Sequence, residues 1–397
     1  MPQFAHPAKP QFQIAKSPGS LDNSLMPLRI LIAPDKFKGT LTAAQAAQAI
    51  ARGWRRVRPR DQLQRLPMSD GGDGFGVVIS SLLGARSQRV KTVDAAHRPL
   101  AATWWWEARS KTAIVESAGI IGLAMLPPGK FHPFELDTFG LGAVLRAAQR
   151  KGAKQILLGI GGSATNDGGF GLARALGWEF RGARGRLIER WTDLPALVEI
   201  HPPKFRRLGK IIVAVDVQNP LLGVRGATRV YGPQKGLRAG DFADAEKSLR
   251  RLARTVQRQF NREDANQPGA GAAGGLGFGL AAFLGARLEP GFDVFANYAH
   301  LAHRLATADL VITGEGAIDR STGMGKGVGQ LAERCHAQGI PCLGLAGMAL
   351  RSRETERLFA QLHGLTDITS PTRAKAKPAL WLERLAVKAG KSLPVAG

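Results

Sequence analysis

At 397 residues, 44% of them hydrophobic, the chain is long enough for two domains with sizeable cores, and wholesale disorder is excluded. Its two cysteines, Cys335 and Cys342, exclude a disulfide framework or a cysteine-rich zinc site, and no apolar run approaches the roughly 18 residues of a membrane span. A net charge of +24, from 55 basic and 31 acidic residues, raises the question of nucleic acid. The basic residues read as scattered, with Arg52, Arg55, Arg56, Arg58 and Arg60 late in one helix and Arg238, Arg250, Arg251, Arg254 and Arg258 on another. No basic stripe is interleaved with aromatics in the manner of single-strand binders. The expectation is a cytoplasmic protein with a solvated basic surface that attracts anionic small molecules. Neither membrane nor nucleic acid is expected as a partner.

Residues 1–25 hold one acidic residue, Asp22, among scattered Pro, Gln and Ser. They lack the apolar core of a secretory signal and read as a disordered extension or a mis-assigned start. Leu28–Ala33 is an apolar run expected as a buried strand, followed by a loop over Pro34–Gly39. Thr40 or Thr42 caps a helix to about Val57, whose apolar positions recur at helical spacing. The next strand, Gln62 to Pro67, ends in Met68-Ser69-Asp70-Gly71-Gly72-Asp73-Gly74, where carboxylates flank two glycines. That loop is either a turn with Asx hydrogen bonds or a magnesium or substrate-hydroxyl site. Strands are expected at 87–93, 101–107 and 112–116, with Trp104-Trp105-Trp106 as packing, and a helix from Asp137 or Thr138 to about Lys151.

Gln155–Leu158 reads as a buried strand running into the glycine-rich loop Gly159–Gly169, with a short helix from Phe170. Glycines between a strand and a helix let backbone N–H groups approach an anion, and the helix start adds partial positive charge. The plain alternative is a tight turn that needs positive φ. Lys210–Val215 is a strand ending in Asp216, and α/β sheets gather functional groups outside the carboxyl ends of their strands. Tyr231-Gly232-Pro233-Gln234-Lys235-Gly236 is compact, polar and glycine-bounded, and its lysine either binds phosphate as a point charge or is an ordinary exposed lysine on a turn. Asp241–Phe260 is a charged amphipathic surface helix. Pro268–Gly279 opens a helix so rich in small residues that another backbone or a ligand must pack against it. Ala308–Thr313 is a strand entering Gly314-Glu315-Gly316, Asp319 and Ser321–Gly327, before a helix through Gln338. A final clear strand covers 341–345, and 379–389 is helical.

Strand–helix alternation over 28–68 and 293–397 predicts an α/β, doubly wound, Rossmann- or flavodoxin-like domain. It is interrupted by a second α/β domain over 69–292, with the active site in the cleft between them. Several glycine loops bearing carboxylates, amides and lysines suit a nucleoside triphosphate, magnesium and a small acceptor, because phosphoryl transfer rests on positioning and charge neutralisation. No G-x-x-x-x-G-K-[ST], H-E-x-x-H, G-x-S-x-G or kinase H-R-D signature is present. Gly159-x-Gly161-x-x-Ala164, with Glu179 downstream, fits a dinucleotide fingerprint and keeps a dinucleotide-dependent oxidoreductase as an alternative. Thr165–Gly169, however, delay the helix that should begin at once. A basic nucleic-acid-binding protein is the lesser alternative.

Seven segments, in order, carry a resemblance: Ala33–Ala43, Pro67–Gly74, Gly161–Gly169, Asp216–Leu221, Gly232–Gly236, Pro268–Gly277 and Ile312–Gly316. Together they resemble the type I glycerate kinases over nearly everything from Met26 to about Ser370. The resemblance implies two α/β domains and phosphorylation of D-glycerate with ATP and Mg2+. It favours 2-phosphoglycerate over 3-phosphoglycerate as product, and a homodimer is allowed. An acceptor hydroxyl needs a carboxylate to take its proton. Asp216 is the first choice and Asp70 the second, with Lys38 beside them as a catalytic residue. Asp167, Asp216 and Glu315 are the candidate magnesium ligands. Lys38, Lys235 and Lys326 would neutralise phosphates or the glycerate carboxylate, and the amides of Gly161, Gly162 and Ser163 would hold phosphate or carboxylate. Asp35, Asp73, Asn166, Asn219, Gln234, Glu315 and Asp319 complete the substrate- and phosphate-binding set. The chain departs from the family pattern at Ala317, where a basic residue is usual, at Ser321, where glutamine is usual, and at Val328, where proline is usual.

Overall fold

The computed structural model describes residues 27–204, 208–320, 322 and 327–393. The extension 1–25 and Lys326 therefore lie outside the described residues. The chain divides into two compact units, one from the segments up to Met68 and from Leu301 onward, the other from Ser69 to His300. In chain order the main strands are β1 (Arg29–Ile32), β2 (Gln62–Arg65), β3 (Arg86–Val93), β4 (Pro99–Glu107), β5 (Thr112–Glu116) and β6 (Gln155–Gly159). They continue as β7 (Lys210–Val215), β8 (Arg287–Pro290), β9 (Leu310–Thr313), β10 (Cys342–Ala346) and β11 (Gln361–Gly364).

The smaller unit is built on a five-stranded sheet, ordered β11-β10-β9-β1-β2 and parallel throughout. Such strands are buried on both faces, which is why Ile30–Ile32 and Leu310–Thr313 are continuous apolar runs rather than alternating ones. The helix Ala43–Arg55 starts with a reciprocal cap: Gln45 N–H donates to Thr42 Oγ1 at 3.2 Å, and Thr42 N–H to Gln45 Oε1 at 2.9 Å. This helix packs on Pro378–Ser392. The helices touch at Gly53, where a Cβ would lie 2.1 Å from the Glu383 carbonyl oxygen. Arg52 and Arg56 flank that point and reach the Glu383 carboxylate at 2.9 and 2.6 Å. Trp54 is fully buried beneath them, its indole N–H held by Asp61 Oδ2 at 2.9 Å.

The larger unit carries a six-stranded mixed sheet, β8-β7-β6-β5-β4-β3. Its β5-β6-β7-β8 half is parallel, and β3-β4-β5 form an antiparallel meander. One face is sealed by a core that includes Val115, Leu141, Leu158, Leu172, Val213 and Leu276. The other packs Phe75, Ile79, Ile114, Leu157, Ile212 and Val294. The tryptophan triplet on β4 serves both: Trp104 and Trp106 turn to the first face, and Trp105 to the second. The helix Gly291–Tyr298 rests on β7 and on the helix Phe75–Leu83, so residues 291–300 belong to this unit.

Three local expectations change. The helix expected from Asp137 or Thr138 begins at Leu141, because the Thr138 N–H and hydroxyl are both engaged by Asp167. The segment Gly232–Lys235 is not a turn but the end of a helix, Ala227–Lys235, closed by Gly236 at φ +105°. Along Ala272–Leu284, the residues Ala273, Gly274 and Gly275 have positive φ, so regular helix starts only beyond them. Among the described residues, no helix is long and apolar enough to cross a membrane.

Candidate functional site

Polar residues collect in each unit where parallel strands end, the position at which α/β sheets expose functional groups. In the smaller unit, β1 and β9 are neighbours, so their following loops are neighbours too. Asp35 N–H donates to Gly314 O at 2.8 Å, and Thr313 Oγ1 to Ala33 O at 2.7 Å. Gly316 lies beside Lys38, whose amide nitrogen would be 3.5 Å from a Cβ added at Gly316. Thr322, fully buried, donates its hydroxyl to Glu315 Oε1 at 3.1 Å and receives the Asp319 N–H at 3.2 Å. The pairing fixes the Glu315 side chain from beneath. Asp35, Lys38, Glu315 and Asp319 are thus carried on connected loops.

In the larger unit, the Asp70–Gly74 loop and the loop after β6 are joined. Gly161 N–H donates to Gly71 O at 3.2 Å, and a Cβ on Gly161 would meet Gly72 Cα at 2.6 Å. The Gly161 amide is therefore spent on this contact and is not an anion donor. The amides of Gly162 and Ser163 donate to no acceptor among the described residues. Gly162 has φ +77°, and the Asp73 carboxylate fills the space a side chain there would need, 2.1 Å from an added Cβ. Glu116, at the end of β5, receives Gly74 N–H at 2.9 Å and Gly76 N–H at 2.8 Å. It caps the helix Phe75–Leu83 and holds the acidic loop in shape. A strand ending in a carboxylate was the available signal, already noticed at Asp216.

Asp167 is not placed as a magnesium ligand. It is fully buried, and its Oδ2 accepts from Thr138 N–H at 3.0 Å, Thr138 Oγ1 at 2.7 Å and Gly171 N–H at 2.9 Å. It caps the helix Phe170–Ala175. Burial, with the nearby Asp137 charge, raises its pKa to about 6 despite those donors. Lys235 differs from expectation in the same way. Its Nζ is enclosed, donating to Thr165 O at 2.6 Å and Ser163 Oγ at 3.1 Å. Burial lowers its pKa to about 7. A lysine so held positions the glycine loop rather than presenting a charge to phosphate.

The small-residue segment Ala272–Gly279 packs against backbone. Gly168 N–H donates to Gly274 O at 3.0 Å, and a Cβ on Gly274 would lie 1.9 Å from Thr165 O. Asn166 is fully buried: Nδ2 donates to Thr228 Oγ1 at 3.1 Å, while Oδ1 has no hydrogen-bond partner among the described residues. Thr165 Oγ1 and Ser117 Oγ are buried without partners in the same sense. Asp216 is exposed just beyond β7. Its charge and burial together push the Tyr231 hydroxyl up to about 12, burial being the larger cause. That hydroxyl donates to Asn219 Oδ1 at 2.6 Å, and Asn219 Nδ2 to Arg225 O at 2.7 Å, so Asn219 shapes its loop. Gln234 is exposed on its helix. Among the described residues, no three His, Cys, Asp or Glu side chains gather as ligands of one ion.

A family profile described as the glycerate kinase family matches residues 30–393. A glycerate kinase of Halalkalibacterium halodurans is 40% identical over 323 residues, covering 80% of this chain and 85% of its own. A glycerate 2-kinase of Escherichia coli K12 is 37% identical, covering 81% and 85%. A crystal structure assigned as glycerate kinase 2 from Salmonella typhimurium LT2 superposes with a TM-score of 0.78 at 32% identity, covering 92% of this chain and 98% of that one. Match, coverage and geometry agree, and the chain belongs to the glycerate kinase family.

Proposed function

We propose that the protein transfers the γ-phosphoryl group of ATP to a hydroxyl of D-glycerate, releasing ADP, with 2-phosphoglycerate as product. The observation that carries this reading is the family match over residues 30–393. The relative named glycerate 2-kinase supports the position of transfer. In the reaction, the glycerate hydroxyl oxygen attacks the γ-phosphorus, the bond to the ADP oxygen breaks, and the hydroxyl proton passes to a carboxylate. Asp216, exposed at a strand end, is that base, and Asp70 is its alternate. The Gly162 and Ser163 amides fit an anionic oxygen. Asn166 Oδ1, lacking a donor in its burial, fits a hydroxyl.

Magnesium is commonly held by one or two carboxylates together with phosphate oxygens and water, so it requires no preformed cluster. Asp216 and Asp73, both on the larger unit, are the residues that would hold it; bound, it would neutralise charge developing on the phosphates. Coupled ADP release with D-glycerate and Mg2+, followed by phosphorus NMR of the product, tests the reading, and absence of glycerate-dependent ADP release refutes it. Asp216→Asn is expected to lower kcat by about a hundredfold or more, the range general bases contribute. Near-native turnover would remove Asp216 from the role.

A further inference from the structure

The chemistry described above makes no use of a cavity of about 570 Å3 on the larger unit, on the exposed side of the helices Ala227–Lys235 and Phe242–Phe260. Its wall carries Arg229 from the first helix and Lys247, Arg250, Arg251 and Arg254 from the second. The four on the second helix follow helical spacing, so they form one stripe, which the scatter of arginines in the sequence had concealed. Like charges three and four residues apart destabilise a helix. Among the described residues, only Arg250 of the five has a carboxylate within ion-pair range, Glu246 at 3.6 Å. A concave wall of one sign focuses the field and concentrates anions.

The same cavity contains a second observation. Glu246 lies on its wall with its side chain 7% exposed. Its Oε2 receives Gly223 N–H at 3.3 Å, while the buried Oε1 has no hydrogen-bond partner among the described residues. Glu246 is thus a single carboxylate, held in the wall by Gly223 and Arg250, among five basic side chains. The volume falls within the range of small-molecule sites. The lining has no aromatic ring on which a nucleic-acid base could stack. We infer that this cavity binds a small organic phosphate. The phosphoryl oxygens lie among the arginines, whose planar forks match them.

The test is calorimetric titration of the full chain with ribose 5-phosphate at low salt, D-glycerate being saturating. Wild type should bind saturably, one per chain. Arg250→Glu/Arg254→Glu should weaken binding about tenfold or more, since charge-assisted phosphate contacts are the strong ones. Both arginines are exposed, and glycerate-dependent ADP release in the same samples should be unchanged, which separates loss of this site from failure of the kinase reading. Arg229→Gln, on the other helix, should weaken binding independently. Binding that both variants retain, or no saturable binding by wild type, would overturn the inference. So would a preference for duplex DNA with steep salt dependence, which would reassign the face to nucleic acid.

Discussion

Replacing Asp167 separates a helix cap from a metal ligand. In Asp167→Asn one amide oxygen can still accept from Thr138 N–H, Thr138 Oγ1 and Gly171 N–H, losing only the 3.3 Å bond from Gly169 N–H to Oδ1, whereas Asp167→Ala leaves all four donors without this acceptor. An unsatisfied buried donor costs about 1–3 kcal/mol, so the alanine variant should lose about 3–5 kcal/mol once removal of the buried charge offsets part of the total. The asparagine variant should stay within about 1 kcal/mol of wild type near pH 4, where the wild-type carboxyl is protonated. The pH dependence follows from the pKa raised from 3.8 to about 6. A raised folded-state pKa favours the protonated form, so this group's stabilising contribution is complete below pH 3.8 and is lost as pH rises to about 6. That change amounts to about 3 kcal/mol. Asparagine does not titrate, so Asp167→Asn should gain on wild type by that order across this window. Urea denaturation between pH 4 and 8 gives the stabilities, and coupled ADP release gives the turnover. Asparagine destabilising as much as alanine would refute the cap. So would an asparagine variant of intact stability whose turnover drops by more than about a hundredfold and whose magnesium requirement rises.

Gly274→Ala combines φ +70° with a Cβ 1.9 Å from Thr165 O, so it should cost about 3 kcal/mol or more and weaken glycerate turnover by displacing the glycine loop; an unchanged urea midpoint would contradict that packing. Lys235 has a folded-state pKa lowered to about 7, so wild type should gain stability relative to Lys235→Met as pH rises from 7 toward 10.5. Parallel stability curves for the two proteins over that range would show that the lysine is not buried neutral.

The strands that end at functional loops were readable because parallel, doubly buried strands are continuous apolar runs, as in Ile30–Ile32, Ile156–Leu158 and Ile211–Val215. The cap on Ala43–Arg55 was readable because its partners are three residues apart. What stayed hidden depends on distant partners. Nothing local to Asp167 reveals that Thr138, 29 residues earlier, saturates it, and so a carboxylate in a glycine loop looked like a ligand. Lys235 looked exposed because proline and glycines surround it, yet Pro233 is tolerated within a helix whose last turn buries the lysine against Thr165, 70 residues away. The glycines of 272–279 left a backbone and a ligand equally open, because close approach of either removes the same Cβ.

The smaller sheet has a consequence for how the chain is made. Its central neighbours, β1 and β9, are bridged by Thr313 Oγ1 and Ala33 O, 280 residues apart. Translation at roughly 5–20 residues per second therefore leaves Ile30–Ala33 and the Trp54 helix without their partners for roughly 10–60 s, while Ser69–His300 is synthesised. The larger unit has all its strands in that interval and can fold first. An apolar strand waiting at the nascent N-terminus is the segment that chaperones should engage, and ribosome-bound chains halted before Leu310 should show the larger unit protected from protease while residues 27–68 remain cleavable.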